Sequence, residues 1–359
     1  MNLWNLGAAA SQKQSYIIKL RIKALLMRAF ALITFILGGQ LAFGQDTGSV
    51  CVQRAGKLLD EAFGLMKKYY YKKDSVPWSD LFTAAKSRLN NAGNCQEANE
   101  TLQWCFREMK EKHSFILPPE KASLYNGNIN SSKEPVELSR LIGPLRHEMV
   151  EDGIAYIDIP WITTADEKIC TGFADSLQGV ISSYDKQGVT KWIIDLRNNT
   201  GGNCWPMLAG LGPLIGNGVY GYFVSNDERI PFSYQNGVAM QGRHTRCAPN
   251  EPRLLSQEKK TIIVLTGPNT ASAGEIVALA FRGMDNVYIY GEPTAGLTTA
   301  NATYNLSDGS ILVLTVCKEA DRNGKVQDGR IQPDKIIESA ILRGMDQAKT
   351  AALMFLQLD

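Results

Sequence analysis

The chain has little of what metal and nucleic-acid chemistry usually requires. Only 3 histidines occur in 359 residues. They are His113, His147 and His244, and no two stand at the spacing of metal ligands. No CxxC pair and no HExxH segment occurs either, so neither a zinc site nor any other cofactor is expected. The 38 Lys and Arg nearly balance the 36 Asp and Glu, leaving a net charge of +2. That balance gives no electrostatic case for binding nucleic acid or an anionic membrane surface. The phosphate-cradling patterns GxxxxGK[ST] and GxGxxG are absent around the glycine pair Gly201-Gly202, which leaves an oxyanion as the anion that loop suits.

What is present begins with an address. Lys19, Arg21, Lys23 and Arg28 precede an apolar run over 29–37, and Ala42-Phe43-Gly44 offers small residues at a cleavage site. This series predicts a secretory signal over 1–44, with Met27 a candidate true start. The apolar run is short for a membrane span, so the expected product is periplasmic or secreted, with no stable span after processing. All 7 cysteines follow the expected cut. In an exported protein some should pair, the odd count leaves at least one unpaired, and spacing alone does not give the connectivity.

Apolar residues recur at three- and four-residue steps through Leu58, Leu59, Ala62, Phe63 and Met66, and again through Leu81, Phe82, Ala85 and Leu89. With a third helix over 97–109 they predict a helical module spanning 45–119. Residues 120–150 read as a linker or exposed loop, too short for an inserted domain. From 151 to 359 strands and helices alternate as in an α/β core. Strands are expected over 154–159, 191–196, 218–224, 262–265 and 287–290, with helices over 166–184 and 205–214. A hairpin is expected around Ser307-Asp308-Gly309, a surface loop with a short hairpin over 225–260, and a closing helix over 336–358.

The core is organised around Thr270-Ala271-Ser272-Ala273-Gly274-Glu275, between the apolar run Ile262-Ile263-Val264-Leu265 and a helical segment. A serine at such a strand-to-helix turn lifts its hydroxyl clear of the sheet, and the next amide lies where a helix start can hold an anion. Glu275 is expected to cap the helix. The loop that follows the strand over 191–196, Arg197-Asn198-Asn199-Thr200-Gly201-Gly202, is expected to supply the second oxyanion donor.

Five blocks, in order, resemble the S41 family of serine peptidases, which includes carboxy-terminal processing proteases and the tricorn core. They are Tyr156-Ile157-Asp158-Ile159-Pro160, Asp195-Leu196-Arg197-Asn198-Asn199-Thr200-Gly201-Gly202, the Ser272 block, Gly291-Glu292-Pro293-Thr294-Ala295-Gly296, and Gln327-Asp328-Gly329-Arg330-Ile331-Gln332-Pro333-Asp334. The resemblance implies the ClpP/crotonase-like β-α-β core of that family and a peptide or protein substrate. Processing proteases of the family resemble one another in a Ser-Lys dyad, but Leu297 stands at the lysine position, and there is no room for their PDZ domain. The chain is more similar to the tricorn-like branch. That likeness implies Ser272 as nucleophile, His113 as general base, Asp328 as supporting carboxylate with Ser114 beside the histidine, and Gly201, Gly202 and Ala273 as the oxyanion hole.

Two alternatives share the fold: a catalytically weak or inactive module that binds peptides or hydrophobic small ligands, and an esterase or amidase. The sequence does not set the oligomeric state.

Overall fold

The computed structural model describes residues 48–358 except 128–136, 226–227, 257–258, 339 and 343. The expected signal segment, 1–44, lies outside the described residues.

Three helices open the described chain: α1 (Gly48–Tyr69), α2 (Trp78–Asn90) and α3 (Cys95–Glu108). Asn94 caps α3 by accepting from the Glu97 amide at 3.0 Å, while Glu97 accepts in return from the Gly93 amide at 2.9 Å. Each satisfies a backbone donor that a helix start would leave unpaired. A disulfide joins Cys51 of α1 to Cys95 of α3. Cys105, Cys170, Cys204, Cys247 and Cys317 are free and buried.

The chain continues through β1 (Phe115–Leu117), α4 (Pro119–Tyr125), β2 (Arg146–Glu151), β3 (Ile154–Asp158), α5 (Glu167–Lys186), β4 (Lys191–Asp195) and α6 (Cys204–Ile215). Next come β5 (Gly218–Val224), β6 (Arg229–Gln235), β7 (Val238–Gln241), β8 (His244–Cys247), β9 (Thr261–Thr266) and α7 (Ala273–Phe281). The last part holds β10 (Val287–Gly291), β11 (Thr299–Asn305), β12 (Ile311–Asp321), the short strands β13 (Lys335–Ile336), β14 (Ile341–Leu342) and β15 (Met345–Asp346), and α8 (Gln347–Leu358).

Two sheets carry the mixed α/β architecture. One has the order β13-β10-β9-β4-β3-β2, with β3, β4, β9 and β10 parallel and β2 antiparallel at one edge. The other is antiparallel, in the order β1-β12-β5-β6-β7-β8, with β11 pairing β12. The apolar helices α6 and α7 are buried along their whole length in a core shared by both sheets, with Trp192, Ile194, Val264, Tyr220 and Phe232 among its members. Continuous apolar runs suit strands covered on both faces.

Three expectations need correction. The segment 225–260 is not a loop with one hairpin, because it supplies β6, β7 and β8 to the antiparallel sheet. Only Phe232 and Tyr234 of β6, Ala239 of β7 and Cys247 of β8 are buried, so few buried apolar positions mark the strand pattern. The closing helix is shorter than 336–358: β13, β14 and β15 fall within residues 335–346, and the helix begins at Gln347. The described part of 120–150 holds the rest of α4 and most of β2 rather than plain loop. The N-terminal helices pack on the strands that follow: Leu59, Phe63, Met66, Leu102 and Phe106 share one core with Leu306, Leu312 and Leu314 of the β11–β12 hairpin.

Candidate active site

Ser272 sits between β9 and α7 with φ 51° and ψ −114°. A positive φ is uncommon for a residue with a Cβ, and this pair of angles is strained at order 1–3 kcal/mol. Glu275 holds the turn in place. It is fully buried and accepts from the Ser272 amide at 2.9 Å, the Gly296 amide at 2.8 Å, the Leu297 amide at 2.8 Å and the Thr294 hydroxyl. Burial raises its pKa, and these donors work against that rise. Glu275 thus takes the capping position expected of it, and in addition ties the nucleophile turn to the 294–297 turn.

The strained turn aims the Ser272 hydroxyl at a histidine from a distant segment. His113 Nε2 lies 2.9 Å from Ser272 Oγ, and His113 Nδ1 lies 2.8 Å from the Thr299 hydroxyl. His113 follows α3 and is 9% exposed. Burial pushes its pKa down to about 4, with the nearby Glu111 carboxylate acting the other way. A neutral imidazole whose Nε2 accepts the serine proton carries its hydrogen on Nδ1, and that hydrogen then points at Thr299.

Glu111 builds the loop that carries the histidine. Its Oε1 accepts from the His113 amide at 2.7 Å and the Ser114 amide at 3.1 Å, and its Oε2 accepts from Tyr70 of the α1–α2 connection at 2.7 Å. Asn301 donates to the His113 carbonyl at 3.0 Å. The imidazole is therefore clamped from β11 on one side and from the helical module on the other.

Several residues stand elsewhere than expected. Asp328 does not meet His113: its side chain is 87% exposed and its carboxylate pairs with Lys318 at 3.5 Å. Thr299 occupies the Nδ1 position instead. Ser114 does not meet the ring either. It is buried and bonds Thr315, donating to its hydroxyl at 3.0 Å and accepting from its amide at 2.9 Å, so it fastens the histidine loop to β12. Leu297, at the place a dyad lysine would hold, offers only its amide, to Glu275.

The glycine loop after β4 lies against the nucleophile. A Cβ on Gly201 would come within 2.9 Å of Ser272 Cβ, and one on Gly202 within 1.9 Å of the Ile162 carbonyl oxygen. Both φ angles are positive, 104° and 102°, so only glycine fits. The Gly201 amide, however, is engaged: it donates to Asn199 Oδ1 at 3.0 Å. Gly201 therefore supplies shape and not an oxyanion donor. The Gly202 and Ala273 amides bond to nothing among the described residues. Asn199 is fully buried and also donates to the Ile159 and Pro160 carbonyls, each at 3.1 Å. Next to this loop in sequence, Arg197 bridges Asp195 and Asp346, and Tyr156 donates to Asp195 at 2.8 Å.

Sequence reasoning passed over Thr299, Glu111 and Asn199. Thr299 lies two residues beyond Leu297, but nothing local marks it. Only the β11–β12 register, in which Thr299 faces Lys318, brings it to the histidine. Among the described residues no group of His, Cys, Asp and Glu could hold a metal ion, and no helix is long and apolar enough to cross a membrane.

Known proteins are similar to this chain. The chain is 31% identical over 264 residues to the nisin-resistance protein of Lactococcus lactis subsp. lactis, covering 73% of this chain and 76% of that one. It is 25% identical over 353 residues to the carboxy-terminal processing protease CtpA of Bacillus subtilis, covering 83% and 72%. In fold it is similar to a lipoprotein from Streptococcus agalactiae, with a TM-score of 0.63, 22% identity, and 89% and 99% of the two chains covered. The profile of peptidase family S41 matches residues 153–337, the stretch that carries the glycine loop, the Ser272 turn and Thr299. With the Ser272 turn, the glycine loop and Thr299 all inside that match, the chain belongs to peptidase family S41.

Proposed function

We propose that the protein is a serine peptidase that hydrolyses peptide bonds through Ser272, with His113 as general base and Thr299 holding the imidazole. The observation that carries this reading is the 2.9 Å contact between His113 Nε2 and Ser272 Oγ at a strained turn. A serine hydroxyl is a weak nucleophile until a base takes its proton during attack. His113 Nε2 takes that proton as Ser272 Oγ adds to the substrate carbonyl carbon. The carbonyl oxygen becomes an oxyanion held by the Gly202 and Ala273 amides, and each such donor is worth roughly 3–4 kcal/mol of barrier. The imidazolium then gives its proton to the leaving nitrogen, the C–N bond breaks, and an acyl-enzyme remains. Water, deprotonated by the same nitrogen, releases the second product and restores the serine.

Thr299 fixes the tautomer as a neutral acceptor, while the charge that favours the imidazolium comes from Glu111, bonded to the His113 backbone. The low pKa of His113 keeps it in the base form across neutral and mildly acidic pH. Export across a membrane, ahead of a processed chain that starts near residue 45, belongs to the same reading. Its support is the basic-apolar-small series of residues 19–44 together with the Cys51–Cys95 disulfide, a bond of oxidising compartments.

The test is hydrolysis of a mixed peptide library, read by mass spectrometry, with the wild type, Ser272→Ala and His113→Ala. Cleavage by the wild type and its loss in both variants is expected. Undiminished cleavage by either variant would overturn the assignment. Parallel ester substrates separate a peptidase from an esterase on the same residues.

A further inference from the structure

Two cations stand at the edge of the Ser272–His113 pair. Thr299, which meets His113 Nδ1 at 2.8 Å, lies directly opposite Lys318 in the β11–β12 register. Residues paired in this way carry their side chains on one face, with Cβ atoms about 4.5–5.5 Å apart. Asn301, on the same face of β11 as Thr299, donates to the His113 carbonyl at 3.0 Å, so this is the face that carries the histidine loop. The flexible four-carbon stem of Lys318 therefore leaves the sheet beside the imidazole. The second cation is Arg330. A Cβ on Gly296, whose φ is 90°, would come within 3.1 Å of Arg330 Cγ, so the arginine stem lies across that glycine. The Gly296 and Ser272 amides donate to the two oxygens of one carboxylate, that of Glu275, at 2.8 and 2.9 Å. Lys318 thus neighbours the residue that holds the base, and Arg330 packs on the turn that Glu275 ties to the nucleophile.

The loop between these cations is fixed in place. The Gln327 amide donates to the Glu319 carbonyl at 2.8 Å, and the Thr298 hydroxyl donates to the Gly329 carbonyl at 2.9 Å. Between these two anchors Asp328 reaches Lys318 at 3.5 Å. Exposure rises outward from the base: His113 is 9% exposed, the Lys318 and Asp328 side chains 35% and 87%, and Arg330 is exposed as well. This is a solvent-facing rim beside a buried imidazole. Folding does not account for its charges. An ion pair as open as Lys318–Asp328 contributes little to stability, and among the described residues the Arg330 guanidinium has no hydrogen-bond or ion-pair partner. A guanidinium grips a carboxylate through two parallel N–H bonds, and an ammonium adds a point charge. Asp328 shows the group that Lys318 takes, and an incoming carboxylate has only that exposed one to displace.

We propose that Lys318 and Arg330 hold a carboxylate of the substrate within a few residues of the cleaved bond, so that peptides carrying an acidic group there are preferred. The location rests on the Ser272 reading; the charge preference rests on the two cations.

The test uses the full chain with Ser272→Ala, so that binding is read without turnover. Calorimetry compares acetyl-Ala-Ala-Ala-Glu-Ala-Ala-Ala-amide with its glutamine counterpart, and an all-alanine peptide of the same length ended by a free acid with the same peptide ended by an amide. In at least one pair the acid form is expected to bind roughly tenfold more tightly, the worth of one charge-assisted bond. Adding Lys318→Gln and Arg330→Gln is expected to remove that difference. A gain with glutamate alone names a side chain as the source, and a gain with the free acid alone names the chain end. Equal affinities in both pairs, no binding of any peptide, or a preference that survives the two added substitutions would each overturn the proposal. Both substitutions lie at the surface, where effects on stability are small. Fluorophosphonate labelling of the wild type reports separately on Ser272: a carboxylate preference without labelling would leave the rim standing and remove the nucleophile.

Discussion

At the scale of single residues, the proposed site combines a strained serine with an imidazole that burial keeps neutral. Glu275 over-determines the strain, because both its oxygens are filled by donors that would otherwise face a buried void. Glu275→Gln sets an amide donor against two backbone donors and leaves them unmatched. It should destabilise the protein by about 2–4 kcal/mol, read as a lowered midpoint in urea unfolding. Thr299→Val removes the acceptor at Nδ1 while keeping the shape. The loss of a hydrogen bond to a group that becomes charged, about 1.5–3 kcal/mol, corresponds to roughly a ten- to hundredfold lower kcat/KM. Asp328→Ala, at a side chain 87% exposed and turned to Lys318, should stay within about twofold of wild type. The pH profile follows from the sign of the His113 shift. A histidine pKa lowered to about 4 means the base form persists below the usual 6.5, so the acid limb of kcat/KM should fall with a midpoint near pH 4. A midpoint near 6.5 would show that burial does not govern this imidazole.

At the scale of elements, the histidine depends on structure that lies outside the family match. The loop bearing His113 is tied to the α1–α2 connection through Tyr70 and Glu111 and to β12 through Ser114 and Thr315. The Cys51–Cys95 bond spans 44 residues, and closing a loop of that size stabilises a fold by about 4 kcal/mol in the chain-entropy picture. Reduction, or Cys51→Ala with Cys95→Ala, should lower the melting temperature of the helical part and reduce activity in step with it. An unchanged melting temperature would count against that linkage.

This is also the scale at which sequence was most and least informative. Ile262-Ile263-Val264-Leu265 and the hairpin around Ser307-Asp308-Gly309 were legible because burial and turn chemistry write their own periodicity. The strands β6–β8 were not, since few of their side chains are buried, and β13–β15 are two residues each. The Ser272 turn and His113 could be placed from motifs, whereas Thr299, Glu111 and Asn199 act through register and long-range hydrogen bonds that no local pattern encodes.

At the scale of the whole molecule, the helical module and the α/β core form one cooperative structure. Leu59, Phe63 and Phe106 pack with Leu312 and Leu314, and β1 adds directly to β12. A chain truncated to residues 120–359 should therefore expose that face of the hairpin, lose the base, and be recovered as an aggregated or unfolded product in circular dichroism. Everything in the account depends on Ser272 being made reactive by His113 across 159 positions of sequence. The most direct measurement is the rate of fluorophosphonate adduct formation on the folded protein, with the site of attachment mapped by mass spectrometry. One adduct at Ser272, formed at least a hundredfold more slowly in His113→Ala, is the predicted result. No adduct, an adduct elsewhere, or a rate indifferent to His113 would contradict it.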